Sequence, residues 1–321
     1  MIHNRGEVSE ENIEKVNTII KELGYKPNIF ARNLALNKQY NFAVLLPDVE
    51  LQEYWKAAVN GVDKAEDELS AFGVSVTKYF FDPYNPESFR EQANKILLSV
   101  PDGLAVSPIL NDDFQEFVME CNALKIPFIF IDTNISTYKP LSSVGQDARA
   151  SGYMAARLLS YGSTDGAFLI LTIAKKIDNH SHFSERIKGF KHYFAEHLTS
   201  ESTIQELTGL DDLNLDAKLN EAFSSKKVKG VFVPNSRVHK IAAYLKKNDI
   251  QKIRLIGYDL IEKNCEYLQN GFIDFLINQK PEEQGHQAIR LLHNSIVLKQ
   301  SIDLMYQMPL NIVVKENLTN F

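Results

Sequence analysis

The chain has 321 residues, a formal net charge of −6, 44% hydrophobic and 24% charged residues, and two cysteines. That composition is ordinary for a folded globular protein, and the length fits two domains or one large bilobal one. It excludes a bulk polyanion binder, a disulfide scaffold and, with no apolar run long enough to cross a bilayer, a helical membrane protein.

Residues 1–24 are polar and acidic where a secretory leader would be apolar, so a cytoplasmic protein with no membrane partner is expected. Ser9 caps a helix expected over 10–23, with Glu10 and Glu11 at its positive end. Ile13, Val16, Ile20 and Leu23 fall on one face, and Gly24 closes it. Pro27 then stops the helix and biases Lys26 toward an extended conformation. Asn28 is a good N-cap for a second helix running to Leu36, with Ala31, Arg32, Leu34 and Ala35 as helix formers. About two turns of helix are marginal alone in water, so this segment needs a partner to fold.

From Tyr40 onward apolar strand-like runs alternate with helical patterns. Phe42–Pro47 reads as a buried strand, and Trp55, Val59, Val62, Ala65 and Leu69 as one helix face ended by Gly73. Strands follow at 74–80, 103–106 and 126–131, with helices marked by Phe89, Ala93, Ile96 and Leu97 and by Phe114, Phe117, Val118 and Cys121. A helix over 147–160 ends at Tyr161-Gly162-Ser163, and the pattern restarts. Strands are expected at 166–172, 228–233, 253–257 and 275–277, and helices at 183–195, 238–245 and 281–298. A last strand is expected near 311–314. Continuously apolar strands in βα order imply parallel sheets covered on both faces. The fold class is therefore α/β, with two doubly wound parallel-sheet lobes.

The run Tyr25-x-Pro27-Asn28-x-x-Ala31-Arg32-x-Leu34 resembles the hinge-helix motif of the LacI/GalR family of bacterial transcription regulators. Asn4 through Tyr25 resembles the third headpiece helix of that family and the loop before it. The resemblance implies a type I periplasmic-binding-protein-like effector domain behind a DNA-binding headpiece. It implies operator DNA and a small sugar-like effector as partners, a homodimer, no cofactor and no enzymatic activity. Two hinge helices would pair in the minor groove with Leu34 wedged into a base step. Asn4, Tyr25, Asn28, Ala31, Arg32 and Leu34 are the DNA-contact positions so implied. In the family two helices precede this segment, so weak DNA binding with little sequence preference is expected of the chain as it stands. The expected units are a headpiece remnant and hinge at 1–39, a first lobe at 40–161 plus 281–305, and a second lobe at 162–280 plus 306–321.

Ligands of open α/β sheets sit beyond the carboxyl ends of the strands, which directs attention to the residues there. Tyr54 and Trp55 follow the first strand, one expected in the cleft and the other in the core. Asp132 and Asp259 end two strands and suit sugar hydroxyls. Gly257-Tyr258-Asp259 matches the family's effector-binding acid. Arg186, in Arg186-x-x-Gly189-Phe190, matches its effector-binding arginine, and a guanidinium can grip paired hydroxyls. Phe232, Asn235 and Gln279 complete the expected effector contacts, with Ser236 as N-cap of the next helix. No catalytic motif, phosphate-cradling glycine loop or metal-ligand spacing is present in the sequence.

Overall fold

The computed structural model describes residues 10–22, 38–108, 112–133, 135–162, 165–173, 181–197, 202–224 and 227–321. The hinge residues Tyr25, Asn28, Ala31, Arg32 and Leu34, and Asn4 before them, lie outside the described residues. The first helix, α1 (Glu10–Glu22), spans the expected segment.

Two parallel sheets follow. The first is built from β1 (Tyr40–Pro47), β2 (Val74–Phe81), β3 (Gly103–Val106), β4 (Phe128–Ile131), β5 (Ser142–Gly145) and the late strand β11 (Met305–Gln307), in the order β11-β5-β4-β3-β1-β2. The second contains β6 (Gly166–Ile173), β7 (Ser202–Leu210), β8 (Val228–Phe232), β9 (Arg254–Tyr258), β10 (Phe275–Asn278) and β12 (Asn311–Val313), in the order β12-β10-β9-β8-β6-β7. The two orders are equivalent strand for strand, except that β12 runs antiparallel to β10 while β11 runs parallel to β5. Because β11 pairs with β5, the first sheet extends two residues past the expected boundary at 305.

Alternation along the strands builds a core on each face. Phe42, Val44 and Leu46 of β1 pack under α2 (Tyr54–Ser70) and α10 (Pro281–Leu292). Ala43 and Leu45 face α3 (Pro86–Ser99) and α4 (Asp112–Ala123), where Phe89, Phe114 and Phe117 fill the layer. In the second lobe, α5 (Ala148–Ser160) and α6 (Ser181–His197) cover one face. The other is covered by α7 (Leu215–Ser224), α8 (Val238–Lys247) and α9 (Glu262–Gln269).

In each lobe one helix pair is closed by glycines. A methyl added at Gly285 would stand 2.1 Å from the Ala58 carbonyl, and one at Gly61 1.8 Å from that of Glu282. A methyl at Gly152 would stand 1.8 Å from the carbonyl of Arg186. Only a residue without Cβ lets α5 approach α6 this closely, and the contact fixes the backbone from which Arg186 projects.

The chain passes between the sheets three times: after β5, after β10 and between β11 and β12. Gln146 ties all three passages together. Its Nε2 donates to the Asn278 carbonyl at 2.9 Å and to the Pro309 carbonyl at 2.7 Å.

Candidate effector site

Asp132 directly follows β4, and Asp259 directly follows β9, the equivalent strand of the other sheet. Both adopt left-handed backbone, with φ of 72° and 71°. Their amides make the same bond, to the Val144 and Ile277 carbonyls of the neighbouring strand. A left-handed turn turns the chain sharply off the sheet edge, and aspartate tolerates it better than most residues. The two lobes thus present matched acids at corresponding positions.

On the second lobe Arg186 is 3% exposed and lies flat over Tyr258, its guanidinium carbon 3.8 Å from the ring centroid. The Tyr258 hydroxyl is within hydrogen-bond distance of Ser151 Oγ, 2.8 Å away, which fixes the platform. Arg186 Nη1 donates to the Pro234 carbonyl at 2.8 Å, and Nη2 donates to Gln279 Oε1. Gln279 Nε2 in turn donates to Asp259 Oδ1 at 2.7 Å. Among the described residues, the buried Arg186 Nε has no hydrogen-bond partner. Asn235 is buried beside them, with Nδ2 donating to the Ile173 carbonyl at 2.9 Å.

On the first lobe the Tyr54 hydroxyl donates to Asp132 Oδ1 at 3.3 Å and accepts from Gln284 Nε2 at 3.3 Å. Gln284, fully buried on α10, also donates to the Gln279 carbonyl at 2.9 Å. Its side chain therefore touches both halves of the polar network. Burial raises the Tyr54 phenol well above its ordinary range, and the Asp132 and Asp259 carboxylates add to this while Arg186 opposes them. Burial likewise pushes the Asp259 carboxyl up to about 7; Arg186 and Gln279 pull it down and Asp132 raises it. The dominant cause is desolvation of the charged form.

Beside this network a cavity of about 320 Å³ opens between the loop at 50–54 of the first lobe and Phe183, Asn235, Arg237 and Ile261 of the second. Acceptors, buried donors and an aromatic face together suit a small neutral polyhydroxylated molecule, oriented by a few polar groups.

Of the expected contacts, Tyr54 and Asp132 bond to each other, Arg186, Gln279 and Asp259 form one hydrogen-bonded chain, and Asn235 lies nearby; Tyr54 and Asn235 also line the cavity. Two stand apart. Trp55 is 4% exposed and packs into the α2 core, its Nε1 donating to Gln52 Oε1 at 3.0 Å. Consecutive helical residues point about 100° apart, so with Tyr54 in the cleft Trp55 turns inward. Phe232 is fully buried and stacked on Phe190 at 4.8 Å, because its place in the strand alternation sends it under α6. Ser236 does not cap α8 either. That position belongs to Arg237, which makes no side-chain cap bond, while Asn235 Oδ1 takes the Arg237 amide. Gln146, Gln284 and Arg237 were not anticipated, since each has at least one partner on another element far along the chain.

Residues 42–300 match the family model described as a periplasmic binding protein domain. A solved protein of Bacteroides fragilis assigned as a LacI transcriptional regulator superposes with a TM-score of 0.78 at 31% identity, over 88% of this chain and 100% of that one. The chain belongs to the periplasmic-binding-protein domain family, in its LacI branch. The sucrose operon repressor of Streptococcus mutans is 25% identical over 92% of this chain and 87% of its own length. The ribose operon repressor of Lactococcus lactis is 22% identical over 99% and 92%. The LacI-branch chain thus aligns with sugar-operon repressors across both lobes.

Proposed function

We propose that this LacI-branch protein is a ligand-responsive transcription repressor whose inter-lobe cleft takes a small neutral sugar or sugar derivative. The observation that carries the reading is the network that spans both lobes: Asp132 and Tyr54 from one, Arg186, Gln279, Asp259 and Asn235 from the other. A ligand touching both halves favours one relative orientation of the lobes, and that differential affinity is what shifts a population. Operator DNA is the second partner, met through the hinge segment at 28–36. The protein is a cytoplasmic homodimer paired through its first lobe, where Leu98, Val100, Met119 and Leu124 of α3, α4 and their ends stand exposed. Large exposed apolar side chains on two neighbouring helices suit an interaction surface. The first lobe takes residues 40–161 and 281–307, and the second takes 162–280 and 308–321. Among the described residues no group of His, Cys, Asp or Glu side chains suits a metal ion.

The test is a thermal-shift screen against monosaccharides, disaccharides, sugar acids and nucleosides, followed by DNA retention with and without the best hit. A sugar that raises the melting temperature and changes DNA retention is expected. A panel with no hit, or a hit that leaves DNA retention unchanged, refutes the reading.

A further inference from the structure

A second arginine crosses the cleft, separate from the one in the polar network. Arg237, in the turn before α8, donates through Nη1 to the Ile173 carbonyl at 2.8 Å and through Nη2 to the Tyr84 hydroxyl at 2.6 Å. Its amide is held by Asn235 Oδ1 at 3.0 Å, and Asn235 Nδ2 shares the same Ile173 carbonyl. Arg237 is therefore fixed on the second lobe next to an expected effector contact, while its tip is bonded to the first.

Tyr84 lies in the loop that opens α3, and that loop is stiff. Asp82 Oδ1 accepts from the Tyr84 amide at 2.8 Å, and the Asp82 amide donates to Ser88 Oγ at 3.0 Å. Asn85 Oδ1 caps α3 by accepting from the Glu87 amide at 3.1 Å. One turn on, Arg90 grips Glu87 at 2.7 Å and Asp113 of α4 at 3.0 Å. Tyr84 is thus linked through Asp82 and Ser88 to the first turn of α3, and through the half-exposed Arg90 more loosely to α4. The far ends of these two helices bear the exposed Leu98, Val100, Met119 and Leu124. Another described bond between the lobes near the mouth runs from the Glu262 amide to Glu53 Oε1 at 3.1 Å; it is exposed, and Glu53, though it stands at the N-cap of α2, makes no side-chain cap bond there.

We propose that the Arg237–Tyr84 bond is a latch that holds the lobes together at the cleft mouth and reports their closure to α3. Its use in regulation rests on the repressor reading, but the latch itself does not. A part-buried, charge-assisted bond is among the stronger single contacts available for this, and its loss moves an equilibrium between lobe orientations about tenfold or more.

The test needs no ligand. Spin labels are placed at two exposed positions, Gln115→Cys on α4 and Gln251→Cys after α8, in a Cys265→Ser background. Labelled chains are diluted with unlabelled ones so that only distances within one chain are read. The parent chain should populate the short distance. Tyr84→Phe, which removes one oxygen and keeps the ring, and Arg237→Met should each lower the closed-to-open ratio about tenfold or more. The double variant should do no more than the larger single one, because both remove the same bond. Amides at 87–90 should exchange faster in the single variants at unchanged midpoint of urea unfolding. A parent chain already open without ligand, single variants with the parent's distance distribution, or effects that add in the double variant would each overturn the latch. A failed sugar screen would leave these distances untouched, and a failed latch would leave sugar binding in place, so the two ideas fall separately.

Discussion

Replacing Asp259 with asparagine removes an ionisation that the cleft resists. The buried carboxyl stands at about 7 against an ordinary 3.8, so the folded state keeps a proton that the unfolded chain has already released. Below about pH 4 both states are protonated and nothing is lost. From about pH 4 to about pH 7 only the unfolded state ionises, and stability falls; above that the loss is constant. At about 1.4 kcal/mol per pH unit the full loss is at most about 4 kcal/mol. Asparagine cannot ionise, and its Oδ1 can accept the same bond from Gln279. The stability advantage of Asp259→Asn over the parent chain should therefore grow between about pH 5 and about pH 7, by up to about 3 kcal/mol, and level off by about pH 8. Urea unfolding of both chains across that range reads it, and every other titrating group cancels in the difference to first order. A difference that stays flat, or narrows as pH rises, refutes the account of Asp259 as a desolvated acid.

The remaining expectations concern binding, packing and assembly. A hydroxyl ligand donating to Asp259 bonds the ionised carboxylate more strongly than the protonated acid, so affinity should fall, by up to tenfold per pH unit, below about pH 7; calorimetric titration checks this, and affinity that rises on acidification counts against it. Gly152→Ala forces a methyl onto the Arg186 carbonyl and should destabilise by about 1–3 kcal/mol while weakening the hit from the sugar screen; unchanged melting would show that α5 and α6 can part freely. Leu98→Asp with Met119→Asp should turn a sedimenting dimer into a monomer at micromolar concentration, and a persistent dimer would move the interface elsewhere.

Strand periodicity made the long apolar strands and their helices legible, together with the residues that follow strand ends. Asp132, Asp259 and Gln279 could be found because a parallel sheet dictates where ligands meet it. Arg186 came from its motif. The missed elements are those whose apolar pattern is weak, whether exposed or buried. The Ser202–Leu210 strand is half exposed at a sheet edge, Ser142–Gly145 carries two serines, and Glu262–Gln269 is a mostly polar helix. Which of Tyr54 and Trp55 faces the cleft stayed open, and Phe232 was misplaced, because rotation about a helix and alternation along a strand decide which of two neighbours points where. Gln146, Gln284 and Arg237 each tie to a carbonyl or hydroxyl more than a hundred residues away, so no local pattern marks them.

The central claim is that one ligand is gripped from both lobes by the network around Asp259 and Arg186. Titration of the best hit from the sugar screen into the parent chain, Asp259→Ala, Arg186→Ala and Glu185→Ala tests it most directly. Glu185 lies outside the network and is paired with Lys188 at 2.6 Å, so its variant should bind like the parent. Each of the other two should lose roughly tenfold to a hundredfold in affinity, the loss of a hydrogen bond to a charged group in a dry site. Equal binding by the parent, Asp259→Ala and Arg186→Ala would contradict the account and put the ligand elsewhere.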